Sequence, residues 1–370
     1  MNDIFYMKEA LKLAEKGKLT TAPNPNVGCI IVKNKKIIGM GWHKKPGDLH
    51  AEIIAINMAK ENTFGSTAYV TLEPCNHYGK TPPCCQKLLT SGIQRIVIAT
   101  IDPNPKVSGK GIDFLKKNGI IINYGIMEKE AKEINKNFFK RMKTGLPWTQ
   151  LKLGVSLDGR IALNNGESKW ITSHTSRKDV HKFRSQNQVI LSSSKTIIND
   201  NPLLNVRYKN INENKEMEII NQPIRIIIDS KNKIQPNHPT IKMSKNKIWL
   251  IRIKKDNQQW PNHVKQIISC QIKKKIDLLK LLLLIGKNEI NSVWIEAGSS
   301  LSGSLIEKNL IDELILYMSP KLLGQTAKPM FIFKKFLKIN QTTQFLFHKI
   351  DQFNTDIRII LRKNKNFIVK

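Results

Sequence analysis

His50 and Glu52 flank Ala51, and further along Glu73-Pro74-Cys75 is followed by Cys84. One imidazole and two thiolates are a natural ligand set for Zn²⁺, and three protein ligands leave the fourth tetrahedral position open to water. Zinc lowers the pKa of such a water to about 7, so hydroxide is available at neutral pH. Glu52, two residues past His50, is placed to reach that water without ligating the metal. A carboxylate there can take the water's proton and return it to a leaving amine. Singly these residues mean little, since a lone histidine is ordinarily a surface or core residue and a lone cysteine a small buried hydrophobe. Their order, with Pro74 before Cys75 and a strand between the two halves, is what points to metal. Cys85 could supply a fourth ligand to a purely structural site, but adjacent residues rarely face one metal and Glu52 would then be idle.

The elements around them must position this set. Ile4, Met7, Leu11 and Ala14 recur at helical spacing over 4–16, with Lys8, Lys12 and Lys16 opposite. TAPNPNVG (21–28) reads as a loop, CIIV (29–32) as a buried strand, and 36–41 as a second strand after a turn. A helix over 49–60 carries His50 in its first turn, a strand covers 68–72, a helix covers 86–90 up to Gly92, and a strand covers 95–100. This alternation is that of a layered α/β domain. A basic helix over 130–142 ends at TGLPW (144–148), where Gly145 and Pro147 place a boundary: residues 1–146 form one domain and 147–370 another. The second domain is again α/β, with strands expected at 149–155, 188–191, 224–229, 247–251, 292–296 and 314–317 and a polar surface loop at 208–222.

Composition narrows the class. The 370 residues, 40% hydrophobic and 24% charged, suit a folded protein of about two domains. The longest apolar run, 278–285, is short and broken by Lys280, so no membrane span is expected, and Asp3, Lys8, Glu9 and Lys12 interrupt any signal-peptide core. The cytoplasm is the expected compartment. Five cysteines without a signal sequence favour metal over a disulfide framework. The formal charge of +32 invites a nucleic-acid reading, but 51 of the 61 basic residues are Lys and only 10 are Arg, the residue of bidentate base and phosphate recognition. Residues 1–146 carry net +11 and the remainder net +21, so the excess is spread as a solvated surface rather than gathered into a stripe.

Zinc deaminases carry His-x-Glu followed by Pro-Cys-x-x-Cys, whereas eight residues, NHYGKTPP, separate Cys75 from Cys84 here. With that insert, TLEPCNHYGKTPPC (71–84), PNPNVGCIIV (23–32), HAE (50–52) and DPNPKVSGKG (102–111) resemble the deaminase half of the bifunctional riboflavin-biosynthesis deaminase/reductase family, RibD. The resemblance implies a cytidine-deaminase-like three-layer α/β/α domain with zinc on His50, Cys75 and Cys84. It implies hydrolytic removal of the 2-amino group of 2,5-diamino-6-ribosylamino-4(3H)-pyrimidinone 5′-phosphate, with Glu52 shuttling the proton. Asn24, His43, Lys80, Thr81, Asp102 and Asn104 would line the pocket.

LKLGVSLDGRIAL (151–163), GESKWIT (166–172), LLNVR (203–207), IRIIIDS (224–230), IEAGSSLSGSL (295–305) and LYMSPKLLG (316–324) resemble the reductase half of the same family, a dihydrofolate-reductase-like α/β domain. Gly154, Trp170, Thr196, Asp200 and Ser230 would then hold NADPH, together with a small-residue turn of Gly298, Ser299, Ser300, Leu301, Ser302 and Gly303 leading into a helix over 304–310 that begins at Ser304. Bare backbone N–H groups at a helix start are a seat for pyrophosphate. Ser168, Arg184, Leu204, Arg207 and Glu296 would hold the substrate, the two arginines suiting its phosphate. The reaction implied is hydride transfer to C1′ of the ring-opened ribose, giving a ribityl product. The partner is thus a small molecule rather than nucleic acid or membrane, and the resemblance implies a homodimer. The competing readings are a deaminase with a degenerate reductase domain and a nucleic-acid deaminase.

Overall fold

The computed structural model describes residues 2–79, 82–105, 107–207, 222–244 and 246–364. It divides into two units, Met1–Leu146 and Pro147–Lys370. Lys80, Thr81 and all but the last residue of the expected loop at 208–222 lie outside the described residues.

Unit 1 runs α1 (Asp3–Glu15), β1 (Gly28–Lys33), β2 (Lys36–Trp42), α2 (Ala51–Ala59), β3 (Thr67–Val70), α3 (Cys84–Thr90), β4 (Arg95–Ile98), α4 (Lys110–Lys117), β5 (Ile121–Tyr124), α5 (Glu128–Ile134) and α6 (Lys136–Thr144). The five strands form one sheet in the order β2-β1-β3-β4-β5, with β1 antiparallel to both neighbours and β3, β4 and β5 parallel. Alternate side chains of a strand face opposite sides, and both sides are used. Cys29 and Ile31 pack with Ala55 and Ile56 of α2 and Leu88 of α3, whereas Ile30 and Val32 pack with Met7 and Ala10 of α1 and Ala131 of α5. The result is three layers, α/β/α.

Two glycines bring α2 close to the sheet. A Cβ on Gly41 would lie 2.1 Å from the Ala51 carbonyl oxygen, and one on Gly39 2.2 Å from that of Ala55. No side chain fits there, so these residues fix the depth of the helix whose start carries His50 and Glu52.

The helix expected over 130–142 is interrupted. α5 ends and α6 begins at Asn135, whose side chain accepts from the Asn26 N–H at 2.7 Å and donates to the Asn26 carbonyl at 2.8 Å. A buried side chain tying down the loop at 24–28 outweighs helical continuity. α4 and β5, for which no element was expected, complete the sheet edge.

Unit 2 contains β6 (Trp148–Ser156), β7 (Arg160–Ala162), α7 (His174–Ser185), β8 (Val189–Ser193), α8 (Ser194–Asp200), β9 (Ile224–Ile228), α9 (Pro239–Lys242), β10 (Ile248–Arg252), β11 (Val264–Ile268), β12 (Gln271–Ile272), β13 (Lys275–Ile276), α10 (Leu278–Lys287), β14 (Ser292–Glu296), α11 (Ser299–Glu307), β15 (Glu313–Ser319), β16 (Lys328–Pro329), β17 (Phe345–Phe353) and β18 (Asp356–Lys363). Nine strands form a sheet in the order β11-β10-β9-β8-β14-β6-β15-β18-β17. It is parallel from β11 to β15, and the final hairpin joins it antiparallel. Parallel strands are buried on both faces and read as apolar runs, and IRIII of β9 and SVWIE of β14 are of that kind.

The Gly/Ser run after β14 is not the expected turn. Helix α11 starts at Ser299 with Gly298 as its N-cap, and it ends at Glu307 rather than extending over 304–310. Leu301, Ser302, Gly303 and Ser304 are therefore inside the helix. The small residues serve packing: a Cβ on Gly303 would lie 2.1 Å from the Ile332 carbonyl oxygen, and the Ser302 hydroxyl donates to the Ala297 carbonyl at 3.1 Å. Among the described residues no helix is long and apolar enough to cross a membrane.

Candidate functional site

In unit 1 the chain folds so that the end of one loop, the end of β3 and the start of α3 converge. His50 is the N-cap of α2, which begins two residues later than expected, and Glu52 lies in its first turn, 3% exposed. Cys75 follows β3, and Cys84 opens α3. The Nδ1 of His50 and the Sγ atoms of Cys75 and Cys84 all lie within 4.8 Å of one another, and Nδ1 is 3.1 Å from the Cys84 Sγ and 3.6 Å from the Cys75 Sγ. The donor set, two sulfurs and one imidazole nitrogen closing on one point, fits a tetrahedral zinc ion with one position left over.

The electrostatics agree. The Cys84 thiol and then the His50 ring hold Cys75 down to about 4, the thiolate form a metal takes, while the bond to Cys75 raises His50. Burial raises the Glu52 carboxyl, against the pull of His50. A carboxyl so placed, with its neutral form favoured by burial, can both accept and release a proton.

Cys85, one residue on, points elsewhere. Its thiol donates to the Pro74 carbonyl at 3.3 Å and faces the Gly111 carbonyl at 3.8 Å, and burial raises its pKa. Successive helical residues lie about a third of a turn apart, so α3 gives one thiol to the cluster and the other to the core. Cys75→Ser and Cys84→Ser are each expected to lose stoichiometric zinc by elemental analysis, and Cys85→Ser to keep it. Zinc lost with Cys85→Ser and retained with Cys84→Ser would reverse the assignment.

Around the cluster, His43 donates from Nδ1 to the Leu49 carbonyl (3.3 Å), so its Nε2 is the acceptor for the Asn24 amide (3.0 Å). That bond turns the Asn24 carbonyl oxygen away from His43. Burial lowers the His43 pKa, so the ring is the neutral form this geometry needs. Asp102 is buried and pushed up to about 7 by desolvation, and it accepts from the Asn104 N–H at 2.8 Å.

Sequence reasoning passed over Glu73. Its buried carboxylate accepts from the N–H groups of Asp102 (3.2 Å), Gly109 (2.9 Å), Gly111 (3.0 Å) and Ile112 (3.4 Å), tying Asp102 and the start of α4 to one side chain. An acidic residue directly after an apolar strand, with no basic neighbour, was the available signal.

In unit 2 five of the expected residues lie at or just past the carboxyl ends of parallel strands, where open α/β sheets bind ligands. Gly154 lies on β6, Thr196 and Asp200 on α8 after β8, Ser230 after β9, and Glu296 ends β14 just before Gly298 and α11. Burial raises the Asp200 carboxyl against nearby Lys169 and Lys328. Trp170 is 60% exposed, with the Arg177 guanidinium 4.1 Å from its ring centre. At α11 the N–H groups of Ser299, Ser300 and Leu301 belong to the first turn, whereas that of Ser302 bonds to the Gly298 carbonyl. Only the first three of these backbone N–H groups, rather than all of the seven residues expected, are thus left at the helix start.

Arg184 differs from a free phosphate ligand. Its Nε and Nη2 pair with Glu296 at 2.6 and 2.9 Å, and Nη1 donates to the Asn205 carbonyl at 3.0 Å. Burial works against the Glu296 charge, but Arg184 and Lys152 outweigh it and hold the carboxyl at about 2. Lys152, on β6, was not singled out from the sequence; burial lowers its pKa despite Glu296. Leu204 is buried in the loop before Arg207, which is exposed, and Ser168 is half-buried before Trp170.

Residues 147–359 match the family model for the RibD C-terminal domain, and residues 1–100 that for the cytidine and deoxycytidylate deaminase zinc-binding region. The riboflavin biosynthesis protein RibD of Buchnera aphidicola subsp. Baizongia pistaciae is 54% identical over 372 residues, 99% of this chain and 100% of the relative. A shorter relative from Buchnera aphidicola subsp. Schizaphis graminum, named diaminohydroxyphosphoribosylamino-pyrimidine deaminase, is 63% identical over 147 residues, 40% of this chain and 100% of its own length. The solved structure of Acinetobacter baumannii RibD superposes with a TM-score of 0.88 at 38% identity, covering 98% of this chain and 99% of that one. The chain therefore belongs to the RibD family, and is a bifunctional enzyme of riboflavin biosynthesis that joins a zinc-dependent deaminase domain to an NADPH-dependent reductase domain.

Proposed function

We propose that unit 1 removes the 2-amino group of 2,5-diamino-6-ribosylamino-4(3H)-pyrimidinone 5′-phosphate and that unit 2 reduces the ribosyl group of the product to ribityl. The observation that carries the first step is the buried Glu52 beside the converging His50, Cys75 and Cys84. Those three residues would hold zinc, which when bound polarises water for attack on the ring carbon. Glu52 takes the proton from that water and delivers it to the departing amine. The carbonyl oxygen of Asn24, turned outward by His43, and the Asp102 carboxyl are acceptors for amino and ring N–H groups. Asn104 is held beside them through its N–H bond to Asp102. Lys80 and Thr81 are assigned to the same pocket on resemblance alone.

In unit 2 we assign NADPH to Gly154, Trp170, Thr196, Asp200, Ser230 and the start of α11. NADPH when bound supplies a hydride. Glu296, fixed as a carboxylate by Arg184, orients the ribose hydroxyls, and Lys152 beside it holds a proton close to the acceptor carbon. Ser168, Leu204 and Arg207 complete the substrate side, with Arg207 facing the phosphate. We further propose a cytoplasmic homodimer acting on this small molecule and not on nucleic acid, a reading supported by the dispersed, Lys-dominated charge.

Incubation of the purified protein with the diaminopyrimidine ribosyl phosphate, followed by mass analysis, tests both steps. A gain of one mass unit without NADPH and of two more with it is expected. The first gain alone would reduce unit 2 to a degenerate domain, and turnover of tRNA or single-stranded DNA with none of the pyrimidine would overturn the reading.

A further inference from the structure

The loop at 202–207 joins α8 to the segment before β9 and carries Leu204 and Arg207 without any helix or strand of its own. Leu204 sits at φ +46°, a left-handed conformation that a branched apolar residue rarely adopts. Such backbone persists only where its surroundings over-determine it, and here four consecutive residues are held by side chains. Arg225 Nε donates to the Leu204 carbonyl at 3.0 Å, and Arg184 Nη1 to that of Asn205 at 3.0 Å. The Gln222 amide bonds both the N–H and the carbonyl of Val206, at 2.8 and 2.9 Å. The fourth holder is His181, whose Nδ1 accepts from the Arg207 N–H at 3.1 Å.

We propose that His181 is a positioning residue for the reductase reaction: it holds the Arg207 main chain so that the Arg207 guanidinium meets the substrate's phosphate. Helix α7 spaces Arg177, His181 and Arg184 at i, i+4 and i+7, which puts them on one face. Arg184 on that face is already committed to Glu296 and Asn205, so of the two arginines assigned to the phosphate it is Arg207 whose guanidinium has no partner among the described residues. To accept a main-chain N–H, the His181 ring must be neutral with its proton on Nε2. Burial, with Arg184 and Arg207 next, lowers its pKa to about 4, against Glu296 and the Asn205 carbonyl, so the ring accepts throughout the physiological range. The inference rests on the reading of Arg207 given above and adds a residue to it.

The test compares reduction of 5-amino-6-(5-phosphoribosylamino)uracil with that of its dephosphorylated counterpart. In His181→Ala the KM for the phosphorylated compound is expected to rise about tenfold, the effect of one lost hydrogen bond, and the preference for phosphate to fall with it. NADPH affinity and deamination by the same chain should stay within twofold, which also reports folding. His181→Asn, whose amide oxygen takes the place of Nδ1, should restore most of the preference; His181→Gln, with its acceptor displaced, should not. A fall in kcat or NADPH affinity with the preference intact would overturn the inference, as would His181→Asn behaving like His181→Ala. Arg207→Met separates the two readings. If it abolishes the preference while His181→Ala does not, the His181 inference alone fails; if it leaves the preference intact, the assignment of Arg207 fails and the His181 inference with it.

Discussion

Glu52→Gln is expected to slow deamination by roughly 10²- to 10⁴-fold, the range typical of a lost general acid–base group, with zinc content and NADPH-dependent reduction of the deaminated intermediate unchanged. Glutamine has the same shape, and at 3% exposure a change of shape is what would disturb the first turn of α2. The difference is confined to the proton, which the amide can neither take up nor release. Stability should not suffer: burial already raises the Glu52 carboxyl, so an uncharged side chain relieves a desolvation cost. Reduction serves as the internal control, because it is measured on the same molecule with the intermediate supplied. Loss of zinc from this variant would instead make Glu52 a ligand and leave the proton transfer without an owner.

How much of this was legible beforehand depends on how local each constraint is. His50, Glu52, Cys75 and Cys84 could be read because metal chemistry restricts residue type and spacing so sharply that few other roles use that order. The central strands of both units were legible for a similar reason, as runs such as CIIV and IRIII fit a sheet buried on both faces, whereas the edge strands β5 and β11 and the final β17–β18 hairpin were not expected. What escaped depends on contacts distant in sequence. Asn135 breaks a helix in order to hold Asn26, 109 residues away, and nothing within 130–142 signals it. The Gly/Ser run after β14 has the composition of a turn, yet Gly303 is small because the Ile332 backbone passes over it. Glu73 is buried and Lys152 half-buried, with partners on other elements, and a lone Glu or Lys in sequence is far more often solvated. Arg184 shows the subtler failure: its place at the site was expected, but its pairing with Glu296 was not.

That pairing carries the other large effect. Arg184→Met is expected to abolish measurable reduction and to destabilise unit 2 by about 3–5 kcal/mol, the cost of stranding one member of a buried ion pair. The side chains are 10% and 15% exposed, so water cannot replace the missing partner, and among the described residues Glu296 would retain Trp294 Nε1 at 2.8 Å and the nearby Lys152. The same change frees the Asn205 carbonyl and with it the loop that carries Leu204 and Arg207. Denaturation followed by tryptophan fluorescence reads this directly, since five of the six tryptophans lie in unit 2, and deamination by the same chain should be unaffected. Adding Glu296→Gln to Arg184→Met removes the stranded charge, so the double variant should recover much of the stability without recovering reduction. A double variant no more stable than Arg184→Met would mean that the two groups are not coupled. The pH dependence has a definite sign. The folded carboxyl at about 2 lies below its ordinary 4.5, so its contribution is complete above pH 4.5 and is lost as pH falls towards 2. Unit 2 of the wild type should weaken through that window more steeply than that of Glu296→Gln, because only the wild type must protonate a carboxylate that Arg184 and Lys152 hold ionised.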